Sequence, residues 1–216
     1  MKYEAVIFDL DGTLLNTLGD LADTVNSGLS SMGFPMHTMA SYKYFVGEGR
    51  EMLARKTLPE AHRDQAMVDR LVEYINVEYG RRWRRNTRPY ADIPELLDAL
   101  AEIHIKMAIL SNKPHDFAEA MVSSLLAKWN FECIIGASPD MPRKPDPSVA
   151  LRIAESMKID PALCIFTGDS DIDMKTATAA GMLAAGALWG FRTREELLEG
   201  GARELLEHPL DLLRIL

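Results

Sequence analysis

The sequence predicts an α/β fold, a parallel sheet covered by helices on both faces, with an all-helical domain inserted after the first strand. Three observations carry this reading. Five short apolar, β-branched runs recur along the chain. Helix-like segments alternate with the later runs, as in a parallel sheet. The interval between the first and second runs holds helical periodicity and no convincing strand. Runs that are apolar throughout suit central parallel strands, which are buried on both sides. With 216 residues, 47% of them hydrophobic, the chain can bury a large core without disulfide staples.

The elements follow in order. Tyr3–Phe8 is the first strand. Leu18, Leu21, Ala22, Val25, Leu29 and Met32 then share a helical face, and Val68, Leu71, Val72, Ile75, Tyr79 and Trp83 share another. Between them, Phe34-Pro35, Gly47, Gly49 and Pro59 mark turns and short helices. Residues 16–84 are therefore expected to form the inserted helical domain, and residues 1–15 with 85–216 the α/β core. Leu96, Leu97, Leu100 and Ile103 give the next helical face, before a strand at Lys106–Leu110. Phe117, Met121, Leu125 and Trp129 give another, before a strand at Glu132–Ile135. Leu163–Thr167 and Leu183–Leu188 complete the set of strands. Thr193-Arg-Glu-Glu196 has the capping-box pattern and opens a further helix.

Charge and composition exclude some classes of function. The chain carries 32 acidic against 24 basic residues, a formal net charge of −8. That balance disfavours nucleic acid and anionic membranes as partners. Arg81, Arg82, Arg84, Arg85 and Arg88, near Trp83 and Tyr90, form one basic run, which reads as a solvated helix end. No apolar run reaches the ~18 residues of a membrane span. The first strand is too short and too acidic for a secretion signal. Cys133 and Cys164 lie in apolar runs without metal-binding spacing, so free thiols in a reducing, cytoplasmic setting are expected.

Ligands of open parallel sheets gather beyond the carboxyl ends of the strands. Strand one is followed by Asp9-Leu10-Asp11-Gly12-Thr13-Leu14, and strand two by Ser111-Asn112-Lys113-Pro114. After strand three a loop leads to Arg143-Lys144-Pro145-Asp146-Pro147, and strand four runs into Gly168-Asp169-Ser170-Asp171-Ile172-Asp173. A single Asp in such a loop ordinarily caps a turn. Four strand ends that aim acids, a hydroxyl and a lysine at one place imply a site. Clustered carboxylates need a counter-charge, and Mg²⁺, a hard cation that takes oxygen ligands and shares substrate phosphate, suits them. Ser111, backbone N–H groups after the strand and Lys144 are the donors available to a phosphoryl group.

These motifs resemble those of the haloacid dehalogenase superfamily, and within it the phosphatases with a small helical cap, nearest the phosphoglycolate phosphatase-like group. Asp9-x-Asp11-Gly12-Thr13-Leu14, Ser111, Lys144 and Gly168-Asp169-x-x-x-Asp173 match its four motifs in order. The resemblance covers nearly the full length and implies a Rossmann-like core with a helical cap. It implies that Asp9 is a nucleophile forming an aspartyl-phosphate and that Asp11 is a general acid and base. It implies Mg²⁺ held by Asp9, the Asp11 carbonyl and Asp169, with Asp173 supporting. It implies phosphoryl oxygens held by Ser111, the Asn112 amide and Lys144. In the cap, Gly47, Gly49 and Arg50 would help to read the substrate. The substrate implied is a small phosphorylated metabolite, 2-phosphoglycolate first, for a monomer or homodimer. A phosphomutase, a pyrophosphatase and a non-catalytic phosphate-ligand protein remain as alternatives. The chain departs from the group at Tyr90-Ala91-Asp92-Ile93-Pro94, where a Pro-Gly turn is common, and at Ile103-His104-Ile105-Lys106, which lacks the usual Gly.

Overall fold

A computed structural model describes residues 2–216. In chain order, β1 (Ala5–Phe8) and β2 (Leu15–Asn16) precede four helices: α1 (Leu18–Ser31), α2 (Met39–Phe45), α3 (Arg50–Thr57) and α4 (Gln65–Arg82). Then come β3 (Arg88–Pro89), α5 (Ile93–Glu102), β4 (Lys106–Pro114), α6 (His115–Leu125), β5 (Ile134–Ala137) and α7 (Ser148–Met157). The chain continues through β6 (Cys164–Gly168), α8 (Asp171–Ala179), β7 (Leu183–Ala187), α9 (Arg194–Gly200) and β8 (Glu204–Leu206). It divides into two compact units. One holds the chain up to Leu15 together with Pro89–Leu216, and the other is Asn16–Arg88.

The larger unit is built on a six-stranded sheet of order β5-β4-β1-β6-β7-β8, with every pairing parallel. β1 is central, and all four of its residues are fully buried. That is why AVIF reads as an unbroken apolar run. Its neighbours β4 and β6 lie on either side, so the direction of winding reverses here and opens a crevice at the carboxyl ends of the strands. β4 runs on to Pro114, beyond the expected Leu110, and carries Ser111, Asn112 and Lys113 as buried strand-end residues. The sixth strand, β8, is missing from the sequence reading because it is three residues at the sheet edge with no apolar run.

Two helical faces end sooner than their periodicity suggests. α5 stops at Glu102, and Ile103 is an exposed residue at its end. α6 stops at Leu125, and its buried face is Ala118, Met121 and Val122. Trp129 lies past that end, where its Nε1 donates to Asp98 Oδ1 at 2.7 Å. Both loops that depart from the family pattern hold a non-glycine residue in the left-handed region: Asp92 at φ 63° and His104 at φ 60°. The Thr193–Glu196 capping box is formed, with reciprocal bonds of 3.3 and 2.9 Å.

In the helical unit, α1 packs on α4 through the predicted apolar faces, Leu21, Val25 and Leu29 against Val68, Leu71 and Ile75 being buried. Gly28 permits this approach, since a Cβ there would stand 2.8 Å from Leu71 and 2.9 Å from Tyr74. Tyr42 is fully buried and donates its hydroxyl to Asn26 Oδ1 at 2.7 Å. The basic run is a helix end. Arg81 and Arg82 pair with Glu78, Trp83 is buried, and Arg88 donates to the carbonyls of Arg84, Arg85 and Thr87. Among the described residues no helix is long and apolar enough to cross a membrane.

A buried carboxylate ties the start of α1 to the segment after α4. Asp20 accepts from Asn86 N, Asn86 Nδ2, Thr87 N and Thr87 Oγ1, at 2.9–3.2 Å. Removing it strands several donors at once. Asp20→Ala is expected to lower unfolding stability by about 3 kcal/mol, and Asp20→Asn by roughly half of that. Urea unfolding of both variants measures this, and a neutral Asp20→Ala contradicts it. The left-handed His104 has the opposite sign. His104→Gly removes backbone strain and is expected to stabilise by up to ~1 kcal/mol, checked by the shift of the thermal midpoint.

Candidate active site

The site assembles where β1, β4 and β6 end. The backbone N–H of Asp9 donates to Thr167 O at 2.9 Å, which carries the β1–β6 pairing one residue past the strand and fixes where the Asp9 side chain leaves it. Asp9 Oδ1 lies 2.9 Å from Lys144 Nζ, in ion-pair range but not aligned as a hydrogen bond. The same ammonium donates to Asp173 Oδ1 at 2.6 Å. Lys144 comes from the loop between β5 and α7, yet its backbone is anchored to β4. Its N–H donates to Asn112 Oδ1, and Asn112 Nδ2 donates to its carbonyl, both at 3.0 Å. The Asn112 side chain is therefore committed to placing Lys144.

Each remaining acid is fixed by a different element. Asp173, on the first turn of α8, accepts at Oδ2 from Ser170 N at 3.1 Å and Ser170 Oγ at 2.6 Å, while Ser170 Oγ accepts from Asp173 N at 3.3 Å. This capping box leaves Asp173 Oδ1 turned to Lys144. Asp169 accepts from Thr13 Oγ1 at 3.2 Å and from Phe191 N at 2.7 Å. Gly12 and Gly190 press against it so closely that a Cβ on either would overlap the Asp169 carboxyl, and a Cβ on Gly168 would overlap Asp173. Trp189 Nε1 donates to Thr13 O at 2.9 Å and holds that loop in place. Asp11 is gripped at both oxygens by Lys113 Nζ, at 3.0 and 3.1 Å.

The electrostatics are those of anions in excess. Oxygens of Asp9, Asp169 and Asp173 lie within 4.8 Å of one another, and all three residues are buried. Burial raises the Asp9 carboxyl to about 6; Lys144 opposes the rise, and Asp173 and Asp11 add to it. Asp169 is raised well above the ordinary carboxylate range by burial, then by Asp173 and Asp9, against the Phe191 N–H and Arg192. Burial works against the Lys144 ammonium, but Asp173 and Asp9 outweigh it and lift the group above an ordinary lysine. An oxygen-only donor set, short of positive charge and boxed in by glycines, fits a hard divalent cation.

Comparison with known proteins agrees with this geometry. The description of haloacid dehalogenase-like hydrolases matches residues 6–187, a span that contains the carboxylates, both lysines and Ser111. The chain belongs to this family. It is 34% identical over 212 residues to a phosphoglycolate phosphatase of Xanthomonas campestris pv. campestris (strain 8004), covering 96% of this chain and 94% of that one. It is 27% identical over 215 residues to a phosphoglycolate phosphatase of Aquifex aeolicus, covering 98% and 95%. A crystal structure from Lactobacillus delbrueckii subsp. bulgaricus superposes with a TM-score of 0.93 at 27% identity, covering 100% of this chain and 98% of that one. Within the haloacid dehalogenase-like hydrolases the chain stands with the phosphatases.

Of the residues this hydrolase was expected to use, the larger unit brings Asp9, Asp11, Asp169, Asp173, Ser111, Asn112 and Lys144 to adjoining strand ends. Gly47, Gly49 and Arg50 lie in the helical unit. The two glycines have φ of 127° and 91°, Gly49 precedes the first turn of α3, and Arg50 Nη1 donates to Asn76 Oδ1 on α4. Sequence reasoning missed Lys113, Thr13, Ser170 and the Phe191 amide. The signals were present for two of them: Lys113 is two residues past Ser111 on one strand, and Ser170-x-x-Asp173 is a capping pattern.

The raised Asp9 sets a testable pH dependence for the metal-free hydrolase. The folded state holds the Asp9 proton more tightly than the unfolded chain does. Its stability is therefore fullest below the unfolded pKa, near 4, and is lost as pH rises to about 6. The loss is of order 3 kcal/mol. Asp9→Asn, which mimics the protonated group, is expected to melt higher than the native protein in EDTA at pH 7.5. The gap should close towards pH 4. Melting curves at both pH values check this, and a gap of zero or a constant gap contradicts it.

Proposed function

We propose that the protein is a Mg²⁺-dependent phosphomonoesterase that hydrolyses a small phosphorylated metabolite, 2-phosphoglycolate first, through a phosphoryl-aspartate on Asp9. The observation that carries it is the cluster of Asp9, Asp169 and Asp173 around the buried ammonium of Lys144, beside Ser111 on the adjoining strand. The substrate follows from the phosphoglycolate phosphatases to which the chain is similar.

Asp9, Asp169 and the Asp11 carbonyl would hold the Mg²⁺, with Asp173 in support; when bound, the ion neutralises charge on the carboxylates and the phosphoryl oxygens. In the first step a carboxylate oxygen of Asp9 bonds to phosphorus and the bond from phosphorus to the ester oxygen breaks. Asp11 gives its proton to that departing oxygen. In the second step water attacks the phosphoryl-aspartate, Asp11 takes the water's proton, and the bond from phosphorus to Asp9 breaks. Ser111 Oγ, the Asn112 backbone N–H and Lys144 hold the non-bridging oxygens while charge redistributes. Residues 16–84 serve as the cap domain, in which Gly47, Gly49 and Arg50 read the rest of the substrate. The cytoplasm is the setting that fits its free thiols.

Phosphate release from 2-phosphoglycolate is expected to require Mg²⁺ and to stop in EDTA. Asp9→Asn should lower kcat by at least ~10³-fold, and rapid quench should trap one phosphoryl group on Asp9 by mass. Full turnover by Asp9→Asn in EDTA sinks the mechanism. Transfer of the group to a sugar, or preference for pyrophosphate, replaces the substrate and leaves the nucleophile standing.

A further inference from the structure

We propose that Lys113 is a specificity residue that takes a carboxylate on the leaving group of the substrate, with Asp11 as its partner in the absence of substrate. This deepens the reading of the site as a phosphatase and rests on it. Lys144 is paired with Asp9 and Asp173, which places it at the phosphoryl end of the proposed site. Lys113 is a second ammonium in the same unit, its side chain 3% exposed, and it pairs with Asp11. A cation this deeply buried is poorly screened by salt, so its preference for an anion is strong.

Position selects which part of a substrate Lys113 can meet. In an in-line transfer the ester oxygen departs opposite Asp9, and the proton donor Asp11 must touch that oxygen. Lys113 holds both oxygens of the Asp11 carboxylate. It therefore lies within about two hydrogen-bond lengths, ~6 Å, of the departing oxygen. A carboxylate separated from that oxygen by a single carbon falls within this reach. The backbone gives Lys113 a fixed origin. Its N–H donates to Ser111 Oγ at 3.3 Å, and a Cβ on Gly136 of β5 would stand 2.7 Å from its carbonyl. Two positions along a strand separate Ser111 from Lys113 by ~6–7 Å. One end of a compact phospho-acid can thus meet the hydroxyl while its other end meets the ammonium. The class selected is phosphate esters of 2-hydroxy acids, as against esters of neutral alcohols.

The test compares 2-phosphoglycolate with ethyl phosphate, which replaces the carboxylate by a methyl group, in the native protein, Lys113→Met and Lys113→Arg. Melting curves establish that each variant is folded. The ratio of kcat/KM for the two esters is expected to fall at least ~30-fold in Lys113→Met, chiefly through KM for 2-phosphoglycolate. It should stay within ~5-fold of native in Lys113→Arg. An equal loss on both esters, carried by kcat, shows that Lys113 only positions Asp11 and overturns the proposal; so does an unchanged ratio. A native protein that hydrolyses ethyl phosphate as well as 2-phosphoglycolate overturns it too, but leaves the phosphatase reading intact. If neither ester is hydrolysed, the reading of 2-phosphoglycolate as the substrate fails, and calorimetric binding of 2-phosphoglycolate to Asp9→Asn with and without Lys113→Met decides on Lys113. A loss of at least ~10-fold in affinity supports the proposal and no change overturns it.

Discussion

The ammonium of Lys144, buried between Asp9 and Asp173, is the interaction on which the rest of the site depends. Two buried carboxylates a few ångströms apart repel strongly unless a cation separates them. Each nearby structural feature keeps one member of that arrangement in place. Asn112 pins the backbone of Lys144 from the neighbouring strand, Ser170 fixes one oxygen of Asp173 so that the other faces the lysine, and the β1–β6 pairing sets Asp9. The glycines at positions 12, 168 and 190 admit carboxyl groups where any side chain would collide. A lysine alone does not balance the cluster, and burial, with the neighbouring carboxylates adding to it, keeps the carboxyls of Asp9 and Asp169 raised.

That arrangement needs the sheet order. Asp9, Ser111 and Asp169 are separated by tens of residues, and only parallel pairing of β1 with both β4 and β6 brings the strands that lead to them to one edge. The reversal of winding at β1 leaves the crevice, and the extension of β4 to Pro114 puts Ser111 and Lys113 into it on regular strand backbone. Side chains built on strand ends are held more tightly than those on loops, which suits a reaction that depends on positioning.

Much of this was legible in the sequence. The five apolar runs correspond to β1, β4, β5, β6 and β7, because strands buried on both faces write their burial directly into composition. The acids and the hydroxyl were legible because they follow those runs. What escaped is set by tertiary pairing. β8 has no apolar run of its own and is a strand only because β7 offers it an edge. Trp129 continues a four-residue spacing past the point where α6 has ended, since periodicity does not register a helix terminus. Asp92 and His104 show the converse. The sequence signals a missing glycine, and the backbone keeps the left-handed turn regardless, accepting the strain on residues that tolerate it.

The acidic net charge of −8 acquires a local meaning at the site. Asp9, Asp11, Asp169 and Asp173 face Lys113 and Lys144, so with every group ionised the carboxylates outnumber the ammoniums by two. A phosphate ester dianion approaching that set alone would be repelled. A divalent cation of the kind the donor set fits would offset the excess and leave both lysines to favour the incoming anion. The acids that disfavour a long polyanion at the surface would thereby become, around one ion and two buried lysines, the means of holding a small one. Lys144 is paired with Asp9 and Asp173, and Lys113 with Asp11. On the proposed mechanism the two cations would divide the substrate between its reacting end and its identifying end, and a change at Lys113 would leave the Lys144 ion pairs with Asp9 and Asp173 in place.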